Sequence, residues 1–129
     1  MRKFHRAMVT IGAISAALAV IAGAFGAHTL RDILPPDRMS VFNTAVEYHF
    51  YHSLGLFAVA WTYTRWRSRY SKISGWSMFT GIILFSGSLY LLAFTGISWL
   101  GAITPFGGVA FIVGWIALAM APKKRGRRE

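Results

Sequence analysis

Four side chains of this sequence have the types and spacing to do chemistry: His28, Glu47, Tyr48 and His52. Two imidazoles and a carboxylate form a mixed nitrogen and oxygen donor set suited to zinc or another divalent ion, so His28, Glu47 and His52 are candidate metal ligands. Glu47, Tyr48 and His52 could instead relay a proton, and His28 with His52 could bracket a haem. The plainer reading is a hydrogen-bond network that joins helices, with Glu47 accepting from a histidine or tyrosine. That reading is preferred, because interhelical polar contacts are common and no metal spacing such as HExxH occurs. No cofactor is expected. With no cysteine in the chain, a thiolate nucleophile, a disulfide and a cysteine metal cage are all excluded. Nor is there a nucleophile elbow, and the serines of Phe85-Ser86-Gly87-Ser88 read as permitting close packing. No enzymatic activity is expected.

The elements that must position these residues are apolar. The 129 residues are 55% hydrophobic and only 14% charged, against roughly 25% charged in ordinary soluble domains. A domain this small cannot hide so much apolar surface from water. Most of the chain is therefore expected to meet lipid. A membrane helix needs about 20 apolar residues, and four stretches qualify: residues 7–27, 42–63, 73–94 and 104–121. Backbone polar groups in lipid must be satisfied within the segment, which leaves helix as the state. The expected fold is an all-α membrane protein, one domain over residues 1–129, with four transmembrane helices in a close-packed bundle. Glu47 is the single acid inside any of these stretches, and ionisable groups there are functional candidates by default.

The net charge of +10 raises nucleic acid as a partner, but its distribution argues against that. Arg2, Lys3 and Arg6 precede the first stretch. Arg65, Arg67, Arg69 and Lys72 separate the second from the third, and Lys123, Lys124, Arg125, Arg127 and Arg128 follow the fourth. The first connection balances Arg31 and Arg38 against Asp32 and Asp37, and the third, residues 95–103, carries no charge. Alternation of basic and neutral flanks predicts four crossings of a bacterial inner membrane with both termini cytoplasmic. The basic tail, residues 122–129, sets topology and could also contact anionic lipid. Nucleic acid is not expected as a partner; the lipid bilayer is.

Stepping residues by about 100° divides each helix into two faces. Gly12, Ser15, Ala16, Ala19, Ala22, Gly23 and Gly26 share one side of the first. On the third, Ser77, Thr80, Gly81, Gly87 and Ser88 lie opposite Met78, Phe79, Ile82, Phe85 and Leu89; on the fourth, Gly107, Ala110, Gly114 and Ala117 align. Small residues allow close backbone approach, which drives association in lipid. The second helix is the polar one, with Thr44, Glu47, Tyr48, Tyr51, His52, Gly55 and Thr62 expected inward and His49 near the border. Its polar pocket is the alternative to a purely structural role: it could bind a metal ion, a proton or a small lipid-soluble ligand. Glycines on two faces of the third helix leave room for a homo-oligomer or a larger membrane complex. The small residues of Ala22-Gly23-Ala24-Phe25-Gly26 also resemble a signal cleavage site. However, a signal core is about 7–15 residues and residues 7–27 exceed it, so a retained helix is expected.

The strings Gly23-Ala24-Phe25-Gly26-Ala27-His28, Thr44-Ala45 with Tyr48 and His52, Leu84-Phe85-Ser86-Gly87-Ser88-Leu89-Tyr90, and Thr104-Pro105 with Gly107-Gly108 and Gly114-Trp115 occur in that order. Together they resemble the bacterial inner-membrane family called domain of unknown function 423, which is similar to the eukaryotic transmembrane protein 256 group. The resemblance covers roughly residues 8–120 and implies a small multi-pass membrane protein, with no biochemical activity to carry over. Glu47 and His49 stand outside its pattern, as does the basic tail.

Overall fold

Prolines and glycines cut the chain into helical rods. The computed structural model describes residues 2–122. Helix α1 spans Arg2–His28, α2 Pro36–Trp66, α3 Arg69–Gly81, α4 Gly87–Thr95 and α5 Thr104–Met120. A π-helical turn, Ile82–Ser86, joins α3 and α4 into one continuous rod. No strand occurs among the described residues. The cationic side chains of the tail, Lys123, Lys124, Arg125, Arg127 and Arg128, lie outside the described residues, and so does the lipid contact expected of them.

The breaks have local causes. Pro35 is extended and Pro36 opens α2, where a missing amide hydrogen costs nothing. Ser68 caps α3 by accepting from the Tyr70 amide at 3.1 Å. Gly96 closes α4 at a φ of 70°, a left-handed conformation that glycine adopts without strain. Pro105 lies in the first turn of α5, as its position predicts.

Three stretches are long and apolar enough to cross a membrane: Lys3–His28, Arg69–Thr95 and Ser98–Met120. The α2 rod is 31 residues long but holds no comparably apolar stretch, which departs from the span expected over residues 42–63. Its position explains the difference. It packs along α1 on one side and along α3, the π turn and α4 on the other, while α5 packs on α3 and the π turn. A helix enclosed by protein need not be as apolar as one bathed in lipid.

Two apolar clusters hold the ends together. Phe4 and Met8 of α1, Leu56, Val59 and Tyr63 of α2, and Met78 of α3 form one, at the end where α1 begins and α2 meets α3. There Phe4 packs edge-on against Tyr63 at 4.8 Å. The other joins Leu30, Phe42 and Ala93 near the α1–α2 connection.

Small residues make the tightest contacts. A Cβ on Gly12 would sit 3.1 Å from the Ser53 carbonyl oxygen, and one on Gly26 would lie 2.6 Å from the Phe42 ring. Gly23 faces Val46, and Ala16 is half-buried beside fully buried Ala19. Gly81 closes on Phe111, Gly114 on Met78, and Gly107 on the backbone of Phe85. Ser88 is buried, whereas at Gly87 nothing lies within 4 Å of an added Cβ. Gly87 therefore carries no close helix approach. The face expected on the third rod is corrected with it: Met78, Ile82 and Leu89 point inward and Thr80 is exposed. The extra residue in a π turn shifts the phase of a helix by about 100°, which uniform stepping through residues 73–94 cannot anticipate.

Candidate functional site

The inward stripe of α2 is Phe42, Ala45, His49, His52, Leu56, Val59 and Tyr63, accompanied by Ser53 and Ala60. This recurrence at three and four residues is the ordinary pattern of a helix packed on both flanks. It turns Glu47, Tyr48 and Tyr51 outward and His49 inward, the reverse of the expected placement. The expectation ranked α2 residues by polarity, and in a membrane bundle polarity does not mark the inside: the helix faces are chosen by shape.

The four residues singled out from the sequence therefore do not converge. His28 ends α1 as an exposed side chain. Glu47 is exposed and lines an open polar pocket of about 450 Å³ with Arg31, Ser40, Asn43 and Thr44. Tyr48 directs its ring across Phe85, with centroids 4.6 Å apart. His52 alone is buried, at 4% exposure. Among the described residues no three His, Cys, Asp or Glu side chains gather closely enough to hold a metal ion, so His28, Glu47 and His52 do not form the donor set that their types allow.

His52 is held on every side. Its Nε2 lies 3.0 Å from the Trp115 indole nitrogen, which can only donate. Nε2 must then accept, which places the ring proton on Nδ1, and Nδ1 donates to the Tyr48 carbonyl oxygen at 2.7 Å. The ring stacks on Phe111 with centroids 3.5 Å apart and planes 11° from parallel. Both nitrogens are occupied. A metal, a haem iron or a relayed proton would first have to break one of these bonds, so the geometry does not suit the metal, haem or relay readings of this residue.

His49 differs. It is three residues earlier on the same face, 8% exposed, and its Nδ1 lies 2.9 Å from the Tyr90 hydroxyl of α4. Around these histidines, hydroxyl groups tie the rods together. Ser53 donates to the His49 carbonyl oxygen at 2.7 Å, so its 2.6 Å contact with Ser15 of α1 has Ser15 as donor. Ser86 donates to the Ala45 carbonyl at 2.9 Å, and Ser74 donates to the Gly114 carbonyl at 2.6 Å. Ser88 donates to the Phe85 carbonyl at 3.0 Å and accepts from Thr104 at 2.6 Å. The Phe85 carbonyl belongs to the π turn, where the regular ladder is interrupted and a side chain can take its place.

Sequence reasoning missed His49, Tyr90, Phe111 and Trp115 as parts of one constellation. A signal was present on α2, since residues three apart share a helix face and His49 is so placed relative to His52. No local signal pairs either histidine with its partner, 41 residues away for Tyr90 and 63 for Trp115.

An all-helical chain with lipid-length apolar rods and interhelical hydroxyl bonds is a helical membrane protein. More specifically, it belongs to the family described as protein of unknown function (DUF423), whose model matches residues 22–108. It is 52% identical over 120 residues to the UPF0382 membrane protein YwdK of Bacillus subtilis, covering 92% of this chain and 98% of that protein. A UPF0382 membrane protein of Staphylococcus epidermidis is 45% identical over 119 residues, 92% of this chain and 97% of its own length. One from Haemophilus influenzae is 41% identical over 111 residues, 86% and 89% of the two chains. No solved structure matches the chain.

Proposed function

We propose that this protein is a multi-pass component of the bacterial cytoplasmic membrane in which all four rods, α2 included, cross the bilayer with both termini cytoplasmic. Its role on this reading is structural or accessory, without catalysis of its own. One observation carries the reading: the buried polar side chains are engaged in bonds between rods. Ser15 with Ser53 joins α1 to α2, His49 with Tyr90 joins α2 to α4, Ser74 with Gly114 joins α3 to α5, and Trp115 with His52 joins α5 to α2. Polar groups spent on interhelical glue, at roughly 0.6 kcal/mol each, support a scaffold. The basic flanks at 2–6 and 65–72 support the orientation, since Phe4 and Tyr63 pack at the same end of the molecule.

Because the chain has no cysteine, single cysteines test the topology directly. Asp37→Cys and Ser98→Cys should react with a membrane-impermeant maleimide in intact cells, and Arg67→Cys only after lysis. Equal reactivity of Asp37→Cys and Arg67→Cys in intact cells would remove α2 from the spans. The accessory role predicts that the protein, solubilised mildly from its own membrane, migrates within a homo-oligomer or a larger complex. Migration solely at the monomer mass overturns that role.

A further inference from the structure

His49 and Tyr90 line a crevice of about 310 Å³ between α1, α2 and α4, near the lower limit of about 300 Å³ for small-ligand sites. Its other walls are Leu18, Ala22, Phe25, Phe42 and Phe94. Leu18, Phe25 and Phe94 are about half exposed on the outside of the bundle, so the crevice opens through apolar side chains, the surface a bilayer would cover. The His49–Tyr90 bond leaves an imbalance at its floor. The neutral imidazole carries one N–H and the phenol one O–H. Only one of those two hydrogens can lie between Nδ1 and the hydroxyl oxygen. If Tyr90 donates, the Nε2 hydrogen of His49 is left over; if Nδ1 donates, the Tyr90 hydroxyl hydrogen is left over. Whichever tautomer forms, at least one donor remains, and neither side chain makes a second hydrogen bond among the described residues.

That donor is not sealed in the core. Ser71 Oγ is the one side-chain polar atom among the described residues that is both fully buried and without a partner. The spare donor of the pair therefore keeps access to the crevice. In an apolar site an unpaired donor costs roughly 1–3 kcal/mol, and it is relieved by an acceptor oxygen. The aromatic walls select what carries that oxygen, namely a molecule with an apolar body. We propose that this crevice binds a membrane-soluble molecule through a carbonyl oxygen that accepts the spare hydrogen of the His49–Tyr90 pair. Two sources share this chemistry, the ring carbonyl of a lipid-soluble quinone and the ester carbonyl of a bilayer lipid. The site is separate from the Glu47 pocket and from His52.

Infrared difference spectroscopy on the full-length protein separates the sources. In bilayers of ether-linked phospholipid, which have no ester carbonyl, a short-chain naphthoquinone labelled with carbon-13 at its carbonyls is added. In ester-linked phospholipid labelled at the ester carbonyl, no quinone is added. Binding shifts the labelled carbonyl band to lower frequency than in protein-free bilayers. Either single change, His49→Phe or Tyr90→Phe, leaves one hydrogen and hence one donor. The double variant H49F/Y90F removes both and should weaken the shifted population about tenfold. Replacing both partners by apolar rings is close to neutral for folding, which circular dichroism checks. Ala22→Leu fills the crevice while keeping both polar groups and should abolish the shift as well. It decides the matter if the double variant does not fold. A shifted quinone band lost in these variants assigns a quinone, and a shifted ester band lost in the same way assigns a lipid acyl ester. No shifted band in either bilayer, or a shift that survives Ala22→Leu, overturns the proposal.

Discussion

The two sides of α2 treat the same residue type differently. Toward α5, His52 is closed in by Trp115, the Tyr48 carbonyl and the Phe111 ring, and both its nitrogens are used. Toward α1 and α4, His49 meets only Tyr90 and opens on a crevice walled by Phe25, Phe42 and Phe94. One face of the helix is locked; three residues along, it is left with hydrogen-bonding capacity to spare. The difference lies in what the neighbouring rods present at each level. The first side receives a donor-only indole and a helix brought close by Gly107 and Gly114. The second receives a hydroxyl that adds a hydrogen of its own. Complete pairing makes a structural contact, and a surplus donor makes a site.

The largest expected effect breaks the locked side. A Cβ at Gly107 would meet the backbone of Phe85, which cannot rotate away, so Gly107→Val should cost about 3 kcal/mol or prevent folding. Gly87→Ala, with open space around it, should change stability by no more than about 0.5 kcal/mol. Unfolding of the two variants in mild detergent checks the contrast, and equal losses would contradict the packing described for α5.

Next comes the comparison of the histidines themselves. Trp115→Phe leaves the buried His52 Nε2 without its donor and should lower stability by about 1–2 kcal/mol. Tyr90→Phe removes one interhelical bond of average strength, about 0.6 kcal/mol, because the freed His49 nitrogen still faces the crevice. A larger loss from Tyr90→Phe than from Trp115→Phe would reverse the assignment of locked and open sides. Ser15→Ala, which removes the α1 donor to Ser53, belongs with Tyr90→Phe at about 0.6 kcal/mol. The smallest effect is at Glu47. Exposed in its pocket, it should be replaceable by alanine within about 0.5 kcal/mol. A thermal scan showing a marked loss would place the carboxylate in a buried pair instead.

Legibility was uneven for a physical reason. The face of α1 running through Gly12, Ser15, Ala19 and Gly26 could be read directly, since a regular helix keeps its phase and small residues have one common use in lipid. The third rod could not be read past Gly81, because the π turn at Ile82–Ser86 has no distinguishing composition and resets the phase of everything after it. On α2 the polar residues misled: Glu47 and Tyr48 drew the inward arc toward themselves, although the stripe through Ala45, His49, His52 and Leu56 has the steadier spacing.

Hydropathy, small-residue periodicity and the placement of proline are properties of neighbouring residues, and on those alone the sequence determined that this protein is helical, apolar and built of closely packed rods. Which histidine is sealed and which keeps a free donor was decided only in the tertiary structure. The answer depends on partners 41 and 63 residues away, on the π turn between α3 and α4, and on which helix reaches α2 at each level. Hydrogen-bond satisfaction is a sum over all the atoms that surround a group, and those surroundings exist only once the rods have packed.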